Sequence, residues 1–492
     1  VRSARLALLL LVVAVRAAGA DVVHLKNGGR LVGRVEDDGD RVRVVMAGGT
    51  MTLAKDRIES VERGETPAEE VARRRRDLAP GDAAAAATLA RFAAGAGLVA
   101  DEGELLQIAA AWAPDDAKLR AELAGWRVFD RPLARNEPAE TALAAAAGKD
   151  AGVYLTPHWR IAFATDLGVA RRRGEMLEAA WRKFREFVDR TGIAVRAIDD
   201  RMECVVFRDH AEWLRAAGLP ETDVSDLVGI YAGESRRILL YDARTSPAAK
   251  QTQQVVTDEI AALADARAAV EKQRGSLAQL ERALTEALAP VKRDETRVAD
   301  LRKFIAETKA ALSQNEDAIA SRTAELERFR ADVTRHFAEE NVSASTHEAC
   351  HQIAFALGVS RAGQPTWLTE GLATLFEPQN RTTFVLEAAN QARLSDARAA
   401  WANGDGGKLR RILTDEVFAA LEKRPMAYAD SWSLTHFLAI RHAAEFARFL
   451  VQGALLPNSP DSADARVADF RRFFGVDLDA LEREWRSYIE HL

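Results

Sequence analysis

The sequence predicts a multidomain α+β chain, on three observations. Residues 21–63 alternate apolar and polar side chains with period two, the pattern of short half-buried strands. Residues 249–337 repeat an apolar residue every seven positions on both sides of Ala289-Pro290, the pattern of two long helices. Around that insertion, residues 151–248 mix strand and helix patterns, and residues 338–492 read as mostly helical. At 492 residues the chain exceeds one typical domain, and 48% hydrophobic beside 29% charged residues is a globular balance.

Residues 1–20 read VRSARLALLLLVVAVRAAGA. Arg2 and Arg5 precede an apolar run from Leu6 to Val15, and Ala18-Gly19-Ala20 fits a small-residue cleavage site. The run is about half of what spanning a bilayer requires. The expectation is a secretory signal peptide, and with it a secreted, periplasmic or otherwise extracytoplasmic location; an uncleaved tether is the alternative. No later stretch is long and apolar enough to span a membrane. Loss of the segment removes three arginines and moves the net charge from −6 to −9. That balance, with no basic patch interleaved with aromatics, argues against nucleic acid as a partner. The two cysteines, Cys204 and Cys350, are expected as reduced buried thiols, in preference to a disulfide or, for Cys350, an extra metal ligand.

In residues 21–63 the strand patterns are separated by turn signals at Asn27-Gly28-Gly29, Asp37 to Asp40 and Gly48-Gly49. They predict an antiparallel module of about five strands that resembles SH3-like or Sm-like β-barrels. Residues 64–150 are Ala-rich and helical, with segments resembling degenerate tetratricopeptide helix pairs; a spacer is expected, a partner groove being the alternative. Arg73 to Arg76 read as a solvated helix face.

In residues 151–248, HWRIAFAT, MECVVF and RILLYD are strands. Residues 171–190 form an amphipathic helix with Leu177, Ala180, Trp181, Phe184 and Phe187 at helical spacing, core by default. In residues 249–337, Val256, Leu263, Val270, Leu277 and Leu284 recur at seven, as do Val298, Ile305, Leu312, Ile319, Leu326 and Val333 after the proline. An antiparallel coiled-coil hairpin follows, its arms reaching ~50–60 Å at ~1.5 Å per residue. The companion seam positions are polar (Arg267, Arg274 and Glu281; Thr308, Asn315 and Arg322), so the seam is narrow and weakest at its middle. The hairpin is either an inert spacer or an adaptor for a protein partner.

Chemistry concentrates in Thr346 to Glu377, which opens with His347-Glu348-Ala349-Cys350-His351. On a helix, His347 and His351 project from one face and can share a zinc ion, with Glu348 placed to take a proton from its water. A catalytic zinc takes a third protein ligand. Glu370, in Trp367-Leu368-Thr369-Glu370-Gly371, follows with eighteen residues between it and His351. The break at Gly363-Gln364-Pro365 lets a second helix turn back and present it.

HEACH, this gap and WLTEGLATLFE resemble the gluzincin clan of zinc metallopeptidases, most closely the M1 aminopeptidase family. The resemblance implies a gluzincin-like zinc peptidase domain, here interrupted by the coiled-coil hairpin. It implies Zn²⁺ held by His347, His351 and Glu370, Glu348 as general base, and a peptide or protein as substrate. It also implies a sheet whose edge strand, around Tyr231 to Tyr241, pairs with extended peptide. A tyrosine beyond the third ligand is implied as oxyanion donor; Tyr428 fits by position, with His436 the alternative. The chain lacks the Gly-x-Met-Glu-Asn segment with which M1 enzymes grip a free amino terminus, so an endopeptidase is expected. Thr374 stands where the family has an acidic residue orienting a histidine, so Glu377 or another residue is expected to serve instead. The expected domains are 1–20 signal peptide, 21–63 β-module, 64–150 helical region, 151–248 upper peptidase part, 249–337 hairpin and 338–492 metal-site part. The alternative to a secreted zinc endopeptidase is a non-catalytic extracytoplasmic scaffold with a vestigial zinc site.

Overall fold

The computed structural model describes residues 21–26, 28–46, 49–220, 227–289, 294–377, 385–404, 406–419, 424–453, 462–475 and 477–492. The expected signal peptide, Asn27, Gly48 and Pro290 lie outside them. The fold is mixed α+β and mostly helical. Among the described residues no helix is long and apolar enough to cross a membrane. The chain forms two compact units, one ending at Pro132 and the other beginning at Leu133.

The first unit opens with β1 (Asp21–Leu25), β2 (Arg30–Asp38), β3 (Arg41–Met46), β4 (Gly49–Ala54) and β5 (Ile58–Glu62). All neighbours are antiparallel, in the order β4-β3-β2-β1-β5. β2 pairs β1 through its first half and β3 through its second. The expected barrel is corrected to an open sheet: β5 pairs β1, and among the described residues no ladder joins β4 to β5. Val23, Val42 and Val44 fill its small core. Then come α1 (Pro67–Arg76), α2 (Ala83–Gly95), α3 (Val99–Trp112) and α4 (Ala117–Phe129). Thr66 and Glu69 form a capping box that starts α1. Small alanines on α2 pack against Leu105 and Leu106 of α3, and Trp126 of α4 lies over Gly103, where any side chain would collide with it.

The second unit starts with α5 (Glu137–Ala147), β6 (Gly152–Leu155), β7 (Trp159–Phe163), α6 (Leu167–Thr191), β8 (Met202–Val206), α7 (His210–Ala217), β9 (Gly229–Ala232) and β10 (Arg237–Leu240). The helical stretch expected over 64–150 is thus divided between the units. The sheet order is β6-β7-β8-β10-β9; β7, β8 and β10 are parallel, and each edge strand is antiparallel to its neighbour. Of the segment expected as the edge, β9 is at the edge and β10 is interior. α5 and α7 cover one face through Leu143, Ala147, Trp213 and Leu214, packed with Ala162, Val205 and Leu239.

The expected hairpin is α8 (Pro247–Leu288) and α9 (Glu295–Ala356). The arms are antiparallel, cross-linked by Arg322–Glu259, Arg274–Glu316, Lys309–Glu281 and the Asn315–Gln273 hydrogen bond. The polar companion positions therefore bridge the arms instead of filling the seam. Val256, Leu263, Val270, Val298 and Ile305 are buried, whereas Leu277, Leu284, Leu312, Ile319, Leu326 and Val333 are half-buried. α9 continues unbroken for 62 residues from the hairpin into the body of the unit, carrying His347 and His351 in its last turns.

Where the hairpin enters the body, α9 is clamped. The buried Arg173 guanidinium of α6 donates to the Asn341 carbonyl, to Ser345 Oγ at 2.7 Å and to the Tyr241 carbonyl at 2.7 Å. Asn341 in turn bonds Asp242 Oδ1 and accepts from the Ala243 N–H. Further along, buried Gln352 accepts from Trp159 Nε1 and donates to the carbonyls of Glu203 and Arg236, pinning α9 to three parts of the sheet.

The remainder is α10 (Thr366–Leu375), α11 (Gln391–Ala402), α12 (Leu409–Leu413), α13 (Arg424–Arg441), α14 (Ala443–Gln452), α15 (Ala463–Phe474) and α16 (Leu478–His491). Aromatic side chains dominate this core: Trp367 stacks near Phe449, and Phe470 on Phe474.

Candidate metal centre

α9 ends at Ala356, and Gly358 just beyond it and then Gly363 have positive φ, +81° and +87°, which glycine adopts without strain. Pro365 then starts α10, which returns toward the last turns of α9. This reversal brings His347, His351 and Glu370 together, their ligand atoms all within 4.8 Å of one another. His351 Nε2 is 3.1 Å from His347 Nε2, and Glu370 Oε2 is 3.0 Å and 3.3 Å from those two nitrogens. Donors sharing one tetrahedral zinc at ~2.0–2.1 Å stand roughly 3.3 Å apart, so the spacing and the N,N,O donor set both fit that ion. Among the described residues no fourth His, Cys, Asp or Glu joins the group. Cys350 is buried outside it; it and Cys204 are free thiols, and burial pushes both up, Cys204 to about 12.

The field favours positive charge here. Burial opposes the His347 imidazolium, but Glu370 and Glu377, one on each ring nitrogen, outweigh it and push the pKa up to about 10. Burial also opposes ionisation of Glu370; the two histidines overcome it and hold the carboxyl well below the usual range.

Glu377 is the carboxylate behind His347. Its Oε1 lies 3.3 Å from Nδ1, and it accepts from Arg393 through both oxygens and from Asn390 Nδ2 at 3.0 Å. A ligating histidine that donates its second N–H to a carboxylate is fixed in tautomer and orientation. Thr374, one turn earlier, donates its hydroxyl to the Gly371 carbonyl within its own helix. Arg393 and Asn390 carried no signal in the sequence.

Glu348 projects toward the sheet. Its Oε2 accepts the Tyr231 N–H of β9 at 2.7 Å. Burial raises its pKa, against the lowering effect of the two histidines. A carboxylate tuned upward at fixed geometry is suited to proton transfer near neutral pH.

Tyr428 of α13 faces the cluster, its ring centroid 5.9 Å from that of His347, with Arg393 over its face at 5.4 Å. His436, two turns on, is fully buried against Trp432, and its Nδ1 is 3.1 Å from Tyr488 Oη. Burial lowers its pKa to about 4, as for a neutral core histidine.

α10 and α13 meet at Gly371. A Cβ there would lie 2.1 Å from Thr435 Oγ1 and 2.6 Å from the Ser431 carbonyl oxygen. Only glycine permits this approach, which sets the α10 register beside Glu370 against the helix carrying Tyr428.

One family model, described as a protein of unknown function (DUF1570), matches residues 341–457. The matched span contains His347, Glu348, His351, Glu370, Glu377 and Tyr428. No curated protein and no solved structure matches the chain.

Proposed function

We propose that this chain is an extracytoplasmic zinc metallopeptidase of gluzincin type, acting as an endopeptidase. His347, His351 and Glu370 hold the metal and Glu348 is the general base. The observation that carries the reading is three ligand atoms 3.0–3.3 Å apart beside a half-buried carboxylate that does not join them.

A bound zinc supplies a positive centre that acidifies water and polarises a carbonyl. Glu348, held by the Tyr231 N–H, takes the proton of the attacking water and passes it to the leaving amine. The Tyr428 hydroxyl donates to the carbonyl oxygen as negative charge develops there. Edge strand β9, whose Tyr231 N–H is committed to Glu348, offers its remaining outward main-chain groups to an extended peptide, with little sequence preference. The sequence has no Gly-x-Met-Glu-Asn segment of the kind that grips a free amino terminus, which favours internal cleavage. The N-terminal sheet and helices serve as docking and spacing elements, and the hairpin recruits a protein partner.

Metal analysis with a quenched peptide library, with and without chelator, tests the reading. Stoichiometric zinc and chelator-sensitive cleavage are expected; Glu348→Gln keeps the metal and loses turnover, and His351→Ala loses both. Bound zinc with no cleavage of any peptide favours a non-catalytic scaffold instead.

A further inference from the structure

The α10 helix that carries Glu370 has no cap of its own. Its N-cap residue is Pro365, which makes no side-chain cap, so the first amides of the helix need a partner from elsewhere. Asp415 supplies it from 49 residues downstream. Its Oδ2 accepts the Thr366 N–H at 2.9 Å and its Oδ1 the Trp367 N–H at 2.8 Å. Asp415 is buried and held by the buried Arg466 of α15, whose Nη1 is 2.5 Å from Oδ2. One turn along α15 from Arg466, Phe470 packs near the Trp367 ring. Asp415 itself sits in the left-handed region, φ +59°, where a non-glycine residue is uncommon.

We infer that Asp415, locked by Arg466, is a positioning residue for the metal centre: it fixes the first turn of α10, and through it the reach of Glu370 to the histidine pair. The inference rests on the metal reading above. The geometry separates this role from mere turn formation. If the turn alone mattered, glycine would serve better than aspartate at φ +59°. If the cap matters, glycine removes both accepted bonds, whereas asparagine tolerates the conformation and retains an acceptor oxygen.

The test is zinc affinity, by competition with a chromophoric chelator, together with the cobalt(II) absorption spectrum. Wild type, Asp415→Gly and Asp415→Asn are compared. Leu143→Ala, in the core on the opposite face of the sheet, serves as a variant destabilised away from the site. Asp415→Gly is expected to weaken zinc about 10- to 100-fold and alter the cobalt spectrum. Asp415→Asn, which keeps one acceptor oxygen for the two amides, should lose about two- to tenfold, and Leu143→Ala should bind as wild type despite a lower Tm. Should Asp415→Gly not fold, a weakened affinity of folded Asp415→Asn supports the inference and an unchanged affinity overturns it. Wild-type zinc affinity in folded Asp415→Gly likewise overturns the inference and leaves the metal reading standing. A wild-type chain that binds neither zinc nor cobalt removes both.

Discussion

Glu377 Oε1 stands 3.3 Å from His347 Nδ1, thirty residues away in sequence, while Arg393 grips the same carboxylate. The imidazole is thereby oriented from behind by a charge that is itself neutralised. Removing the carboxylate frees the ring and leaves Arg393 without its partner. Glu377→Ala is therefore expected to weaken zinc about 10- to 100-fold in chelator competition, with Glu377→Gln milder. Unchanged affinity in Glu377→Ala would show that the contact does not orient the ring.

Gly371→Ala pushes a methyl into Thr435 Oγ1 and the Ser431 backbone. Backbone cannot swing aside, so α10 and α13 must separate. A loss of about 1–3 kcal/mol in chemical denaturation is expected, with reduced metal affinity because Glu370 is the adjoining residue. Substitution to alanine without cost would mean the helices repack freely.

Tyr428→Phe keeps the ring beside His347 and deletes only the hydroxyl. With Tyr428 as oxyanion donor, kcat falls by about 10²–10³ while bound zinc is unchanged. A fall in metal content instead would place Tyr428 in packing rather than chemistry.

Asp430 is buried, accepts the Trp401 Nε1–H at 2.7 Å and the Gly407 N–H at 3.2 Å, and burial pushes its carboxyl up to about 6 from an ordinary 3.8. The folded state thus favours the protonated acid. Its contribution to stability is complete below about pH 4 and is lost as pH rises through 6, by up to about 3 kcal/mol. Asp430→Asn imitates the neutral acid and keeps an acceptor. Its Tm should match wild type near pH 4 and exceed it at pH 7.5. An equal difference at both pH values would exclude a titrating Asp430.

What was legible in the sequence was what is local or periodic. His347 and His351 declare themselves by helical spacing, and the hairpin arms by their seven-residue repeat. Glu370 was legible because it sits in a short, distinctive segment at a fixed gap. What could not be read depends on chain segments far apart. Nothing near Thr366 announces Asp415, and nothing in α6 announces that Arg173 will reach Asn341. Barrel closure depends on whether β4 meets β5, which alternation within each strand does not specify. The edge position of β9 was half legible, because strand patterns give hydrophobicity but not order. Glu377 was visible only as a carboxylate in reach; Arg393 and Asn390, which make it an orienting group, were not.

The unbroken course of α9 makes the hairpin a ruler with fixed graduations. Excising seven residues from each arm shortens it by ~10 Å yet turns each helix by only ~20°, so the stripe of apolar residues still meets itself. Excising two from one arm swings that stripe by about 160° out of phase. Across descendants of this chain, the tip can therefore be carried nearer to or farther from the histidine pair in paired heptads while the base stays as it is.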